Sequence, residues 1–154
     1  MTSRECDTPL TILALGSPHG DDQAAWYVIE RLQADREFAG RCFRIASPWD
    51  VVPHLQGGGR VMIIDACQSG AAPGTLHRHV SPESATAAGD VPSSHGGSLR
   101  EALQLSQSLG YDLSGVEIHG IEVEATQPGA PVTPAVRRAV ETLASELREE
   151  WPRT

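Results

Sequence analysis

Residues 60–65 read RVMIID, an unbroken apolar run with a charged residue at each end. A strand with one wet face alternates apolar and polar side chains. A strand apolar on both sides needs both faces covered, as in the middle of a parallel sheet wrapped by helices. Residues 11–15 (TILAL) have the same character and stop at Gly16. Further strands are predicted at residues 42–46 (CFRIA), 75–80 (TLHRHV) and 116–121 (VEIHGI). Residues 75–80 alternate, which places them near an exposed edge.

Between these strands the apolar spacing changes to that of helices. Ala25, Val28, Ile29 and Leu32 recur at i, i+3, i+4 and i+7, the spacing of a core-facing stripe. Residues 48–55 predict a short helix or turn, closed by Gly57, Gly58 and Gly59. Residues 81–97, rich in Ser, Ala, Gly and Pro, predict a loop. A helix follows from Ser98, whose spacing to Glu101 has the S-x-x-E form of a capping box; its stripe is Leu99, Ala102, Leu103 and Leu109, and Gly110 ends it. Thr133–Pro134 supplies an N-cap and a first-turn proline for a last helix, lined inside by Val136, Ala139, Val140, Leu143 and Leu147. Strands alternating with helices specify an α/β fold, a three-layer sandwich in which a mostly parallel, twisted sheet of about five strands carries helices on both faces.

The 154 residues fit one domain, with residues 1–10 as a flexible N-terminus, and no linker or repeat suggests a second. A net charge of −8 argues against nucleic acid, because phosphate binding needs clustered Lys and Arg. Cys6, Cys42 and Cys67 are odd in number and form no CxxC pair, which is compatible with a reducing compartment. The apolar run at residues 12–15 is too short for a signal peptide or a membrane span, so a cytoplasmic chain without a membrane partner is expected.

In an open α/β sheet, ligands bind beyond the carboxyl ends of the strands. Three segments deliver polar groups there: Asp21–Asp22 after the first strand, Asp65 at the end of RVMIID, and His95 just before the Ser98 helix. Two carboxylates and an imidazole suit a borderline divalent metal and leave coordination positions open. Each residue also has a plainer reading. An aspartate in a first helical turn serves as a cap or dipole partner. A strand-end Asp65 must be solvated, paired or metal-bound, and a histidine in a Ser/Gly loop fits ordinary surface.

The remaining candidates rank lower. His19 is a possible accessory ligand in the first loop, with exposure as its plainer reading. His77 and His79 share one face of a regular strand, where a solvated face is expected over a metal pair. Cys67 fits a small buried thiol. Glu122 or Glu124, near the same rim, offers a general base. GSPHGDD (residues 16–22) lacks the spacings of nucleotide-binding glycine loops, and no HExxH zinc helix is present.

GSPHGDD, IIDACQSG (63–70), SSHGGSLREAL (93–103), VEIHGIE (116–122) and VTPAVRRAV (132–140), taken in order, resemble the maturation proteases of nickel–iron hydrogenases. The likeness runs from about residue 11 to the last helix, with Ser17 where the family has Asn, a first loop one residue shorter, and Gln23 for a common Gly. The resemblance implies a five-stranded α/β sandwich. It implies an endopeptidase that removes the C-terminal extension of a hydrogenase large-subunit precursor after nickel insertion. It also implies metal contacts and catalytic residues at Asp22, Asp65 and His95, with Asp21 as rival to Asp22 in the first loop. The nickel would travel on the precursor, with no organic cofactor, and the protease would act as a monomer. A non-catalytic binder of nickel-loaded precursor, or a small-molecule metallohydrolase of the same architecture, are the alternatives.

Overall fold

A computed structural model of the chain describes residues 10–38, 40–87, 98–124 and 127–150. Five strands form one sheet: β1 (Leu10–Leu15), β2 (Cys42–Ile45), β3 (Arg60–Cys67), β4 (Leu76–Val80) and β5 (Val116–Glu122), in the order β2-β1-β3-β5-β4. β2, β1, β3 and β5 are parallel, and β4 pairs antiparallel with β5. The mostly parallel sheet is therefore as expected, and so is the exposed edge position of β4. Among the described residues, no helix is long and apolar enough to cross a membrane.

The helices are α1 (Ala24–Gln33), the short α2 (Val52–Leu55), α3 (Pro82–Ala87), α4 (Ser98–Ser108) and α5 (Pro134–Glu150). On one face of the sheet, Val28, Ile29 and Leu32 of α1 and Val136, Val140, Leu143 and Leu147 of α5 pack on Ile12, Ala14, Met62 and Ile64. On the other, Leu55, Leu99 and Leu103 pack on Leu13, Leu15, Val61 and Ile63. β3 contributes alternate residues to both cores, which is why its sequence shows no polar alternation.

Two expectations need correction. Residues 82–87 form the helix α3 inside the predicted loop; the Ser81 hydroxyl accepts from the Ser84 amide, an N-cap contact that starts it. Leu109 is not part of the α4 stripe. The helix stops at Ser108, and Leu109 is 52% exposed in the turn that follows. The predicted capping serine, Ser98, begins α4, but its side chain lies outside the described residues.

Candidate functional site

The order β2-β1-β3 fixes where a site can lie. The chain leaves β1 through α1 on one face, and returns from β2 to β3 through α2 on the other. The two connections diverge from neighbouring strands, which makes the carboxyl ends of β1 and β3 the topological switch point, the place where open α/β sheets bind ligands. Leu15, the last residue of β1, is in register with Asp65. Met62, Ile64 and Ala66 point toward α1 and α5, so Asp65 faces the α4 side. α4 leads into β5 and thus runs back antiparallel to it, starting at the rim where the strands end.

The loop after β1 enters a one-turn 3-10 helix at Gly20–Gln23. Its base is fixed by Gly16 N–H donating to Ile45 O (3.1 Å) and Trp26 Nε1–H donating to the same carbonyl (3.2 Å). A Cβ on Gly16 would lie 2.7 Å from Asp22 O and 3.0 Å from the Trp26 ring, so glycine is required by close approach. The adjacent acids have different roles. Asp21, 0% exposed, turns away from the loop. Its carboxylate accepts from Thr133 N–H (2.8 Å), Thr133 Oγ1 (3.1 Å) and Glu124 N–H (2.9 Å). It thereby ties the first loop to the N-terminus of α5, where a negative charge is also favoured by the helix dipole.

Asp22, 6% exposed, accepts from Ser17 Oγ at 3.1 Å through Oδ2, while Ser17 N–H donates to its carbonyl at 3.2 Å. Its Oδ1 is buried and has no hydrogen-bond partner among the described residues. A buried carboxylate oxygen left unpaired is costly, and it is the kind of atom a cation satisfies. Ser17 is thus the residue that orients Asp22.

Beside Asp65 lies a second polar group. Cys67 is in register with Glu122, and His77 crosses from β4 opposite Gly120. Gly120 leaves room for both: a Cβ there would lie 3.2 Å from Cys67 Sγ and 3.6 Å from His77 Cβ. Glu122, 2% exposed, accepts from Ser69 N–H (2.9 Å) and Ser69 Oγ (2.5 Å), and His77 Nε2 lies 3.1 Å from it. The Cys67 thiol donates weakly at 3.7 Å. Burial raises the Glu122 pKa, but the bonds from Ser69 and His77 outweigh it and hold the carboxyl below the usual glutamate range. Burial, then the charges of Glu122 and Asp65, push the Cys67 thiol up. Cys67 therefore stays protonated at neutral pH and supplies no thiolate nucleophile, which agrees with the small buried thiol expected.

A depressed carboxyl pKa means the folded state binds its proton less readily than the unfolded chain. The stability contributed by Glu122 is complete above the unfolded value of about 4.3. It is lost as pH falls through the lower folded value. Urea unfolding midpoints measured from neutral to acid pH should fall more steeply for the wild type than for Glu122→Gln. Parallel profiles would mean the Ser69–His77 clamp contributes nothing.

Asp22 and Asp65 lie on the loop after β1 and near the end of β3, the two strands that flank the switch point, whereas Asp21 serves α5. His95 lies outside the described residues. His19 is exposed, and so is Glu124. His77 and His79 do not share a face. The β4–β5 register shifts between His77 and Val80, and His79 takes φ 52°. This bulge turns His77 toward Glu122 and His79 toward Glu117 on the opposite face. The alternation TLHRHV carries no signal for that shift. The convergence of Cys67, His77 and Glu122, with ligand atoms within 4.8 Å of one another, was equally invisible, because the residues come from three strands.

A family model described as hydrogenase maturation protease (HycI) matches residues 27–150, a span that includes Asp65 and His95 and begins after Asp22. No curated protein sequence matches the chain. Among solved structures, the NiFe hydrogenase maturation protease HybD from Thermococcus kodakarensis is 24% identical, covering 93% of this chain and 99% of that one at a TM-score of 0.72. A hydrogenase 3 maturation protease is 23% identical, covering 92% and 90%, with a TM-score of 0.69. The hydrogenase maturating endopeptidase HybD from Escherichia coli is 19% identical, covering 91% and 92%, with a TM-score of 0.71. At these identities the likeness to solved structures establishes the fold.

Proposed function

Because the chain belongs to the hydrogenase maturation protease family, we propose that it removes the C-terminal extension of a nickel–iron hydrogenase large-subunit precursor once nickel has been inserted. It works as a cytoplasmic monomer, with Asp22, Asp65 and His95 as its recognition and catalytic set. What supports this reading is the buried Asp22 carboxylate, whose Oδ1 has no hydrogen-bond partner among the described residues, on the segment that leaves β1, with Asp65 in register with the last residue of β1. His95 completes the set from the segment immediately before α4, which starts at the same rim.

The nickel is the precursor's cargo, held by the precursor's own ligands. Asp22, Asp65 and His95 grip it from the open side and so seat the scissile peptide against the rim. An ion in that place supplies Lewis acidity to a peptide carbonyl or to a water. Specificity follows directly, since a precursor without the ion lacks the contact that these three residues make. Among the described residues the protonated Cys67 provides no alternative nucleophile.

Intact-mass analysis tests this. Nickel-loaded precursor incubated with the chain should lose the mass of its C-terminal tail, and nickel-free precursor should not. Stable binding with unchanged mass would make the chain a recognition module. Cutting that is indifferent to nickel would remove the metal grip from the mechanism.

A further inference from the structure

A second cluster of ligand atoms lies on the other face of the sheet. Glu117 Oε2 is 2.9 Å from His79 Nδ1 and 2.9 Å from His119 Nε2, so two imidazoles converge on one carboxylate oxygen. The two rings meet edge to face with centroids 4.8 Å apart. His119 alternates with Ile121 along β5 and so shares the α5 face, whereas Asp65, Cys67 and Glu122 belong to the α4 face.

The cluster is not explained by packing alone. His119 is 2% exposed, and its Nδ1 is buried without a hydrogen-bond partner among the described residues. The nitrogen aimed at the cluster is the other one, Nε2, so a cation shared with Glu117 and His79 would take Nε2. His79 is the one described non-glycine residue with positive φ, a conformation that costs about 1–2 kcal/mol. The bulge that imposes it is what brings the His79 ring to Glu117. The surroundings favour a cation. Glu150 Oε1 lies 3.7 Å from the other His79 nitrogen, and Glu146 lies close by, its charge partly matched by Arg78.

We propose that His79, Glu117 and His119 form a binding site for a borderline divalent cation of the zinc class, distinct from the processing site. Two imidazole nitrogens and a carboxylate oxygen are the ligand types such ions take, and three protein ligands leave a position for water. Metal–ligand bonds of about 2.0–2.2 Å place tetrahedral ligand atoms roughly 3.3–3.6 Å apart. The two 2.9 Å contacts therefore open by about half an ångström to admit the ion. Glu150 stands where an outer carboxylate would hold the metal-bound His79 ring. The half-exposed His79 gives the ion its way in.

The test uses the full chain, stripped of metal and without precursor, titrated with Co²⁺ for its visible spectrum and with Zn²⁺ by calorimetry. With the processing site removed by Asp65→Asn/His95→Ala, the chain should take one ion with an imidazole-type tetrahedral Co²⁺ spectrum. His79→Asn, whose new side chain tolerates positive φ, should keep its fold and bind at least about tenfold more weakly. Glu117→Gln should lose the Zn²⁺-dependent rise in Tm. In that double-variant background, binding of the remaining ion should be weakened by His79→Asn as it is in the otherwise wild-type chain. Absence of stoichiometric binding, equal binding by His79→Asn, or loss of binding in the double variant would each overturn the site.

Discussion

Asp65→Asn should yield a chain that melts like the wild type but no longer shortens a nickel-loaded precursor. The substitution keeps the volume of a side chain only 4% exposed and removes its negative charge. Losing a ligand of the grip should slow processing at least about a hundredfold, equivalent to roughly 2.7 kcal/mol of transition-state stabilisation. The change in unfolding free energy should stay within about 1 kcal/mol, because asparagine keeps the volume and most of the hydrogen-bonding capacity of the side chain. Single-turnover processing followed by mass, beside urea melts of the same preparation, separates the two effects. An unfolded variant, or one that processes normally, would return Asp65 to a structural role. Asp22→Asn should behave in the same way, since its Oδ2 contact with Ser17 survives as a hydrogen bond while the charge at Oδ1 goes.

The neighbouring residue should give the opposite result. Asp21→Ala is expected to destabilise the fold by about 3–5 kcal/mol, the scale of several hydrogen bonds to one charged acceptor discounted for partial exposure. Three donors lose their acceptor at once: the Thr133 amide and hydroxyl and the Glu124 amide. Each is a bond to a charged acceptor, worth about 1.5–3 kcal/mol, and the partial exposure of Thr133 and the exposure of Glu124 let water recover part of it. For a domain of this size the Tm should drop by about 10–15 °C. Any processing left at low temperature should proceed near the wild-type rate per folded molecule, because Asp21 faces α5. Differential scanning calorimetry checks the first statement and processing at 10–15 °C below the variant's Tm the second. A stable Asp21→Ala chain that has lost activity would exchange the roles assigned to the two aspartates.

This division between adjacent acids shows how far the sequence could be read. The GDD run announces that the first loop carries carboxylates to the rim, because a buried strand ends at Gly16 and a helix stripe begins soon after. Whether the first or the second acid faces the switch point depends on Thr133, 112 residues further on, and on the direction in which the 3-10 turn points each side chain. Thr133 itself was legible as a helix start, but its hydroxyl also serves as the anchor for Asp21. The Ser81–Gly97 span shows the same limit in another form, since the three-residue reach of the Ser81 hydroxyl is enough to seed a helix in a stretch that composition assigns to loop.

Local pattern alone determined the order of the strands and of the helices other than α3, the burial of β3 on both faces, and the stripes of α1 and α5, because these follow from side-chain patterns that a window of the chain displays. It also determined that carboxylates gather at one rim, since parallel strands joined by helices must all end on the same side. Tertiary structure decided the rest. It separated His77 from His79 through a bulge set by pairing with β5, joined Cys67, His77 and Glu122 from three strands, and oriented Asp21 and Asp22 apart. These outcomes depend on register and on contacts between residues distant in the chain. Such contacts leave no periodic trace, so they exist only once the sheet has formed.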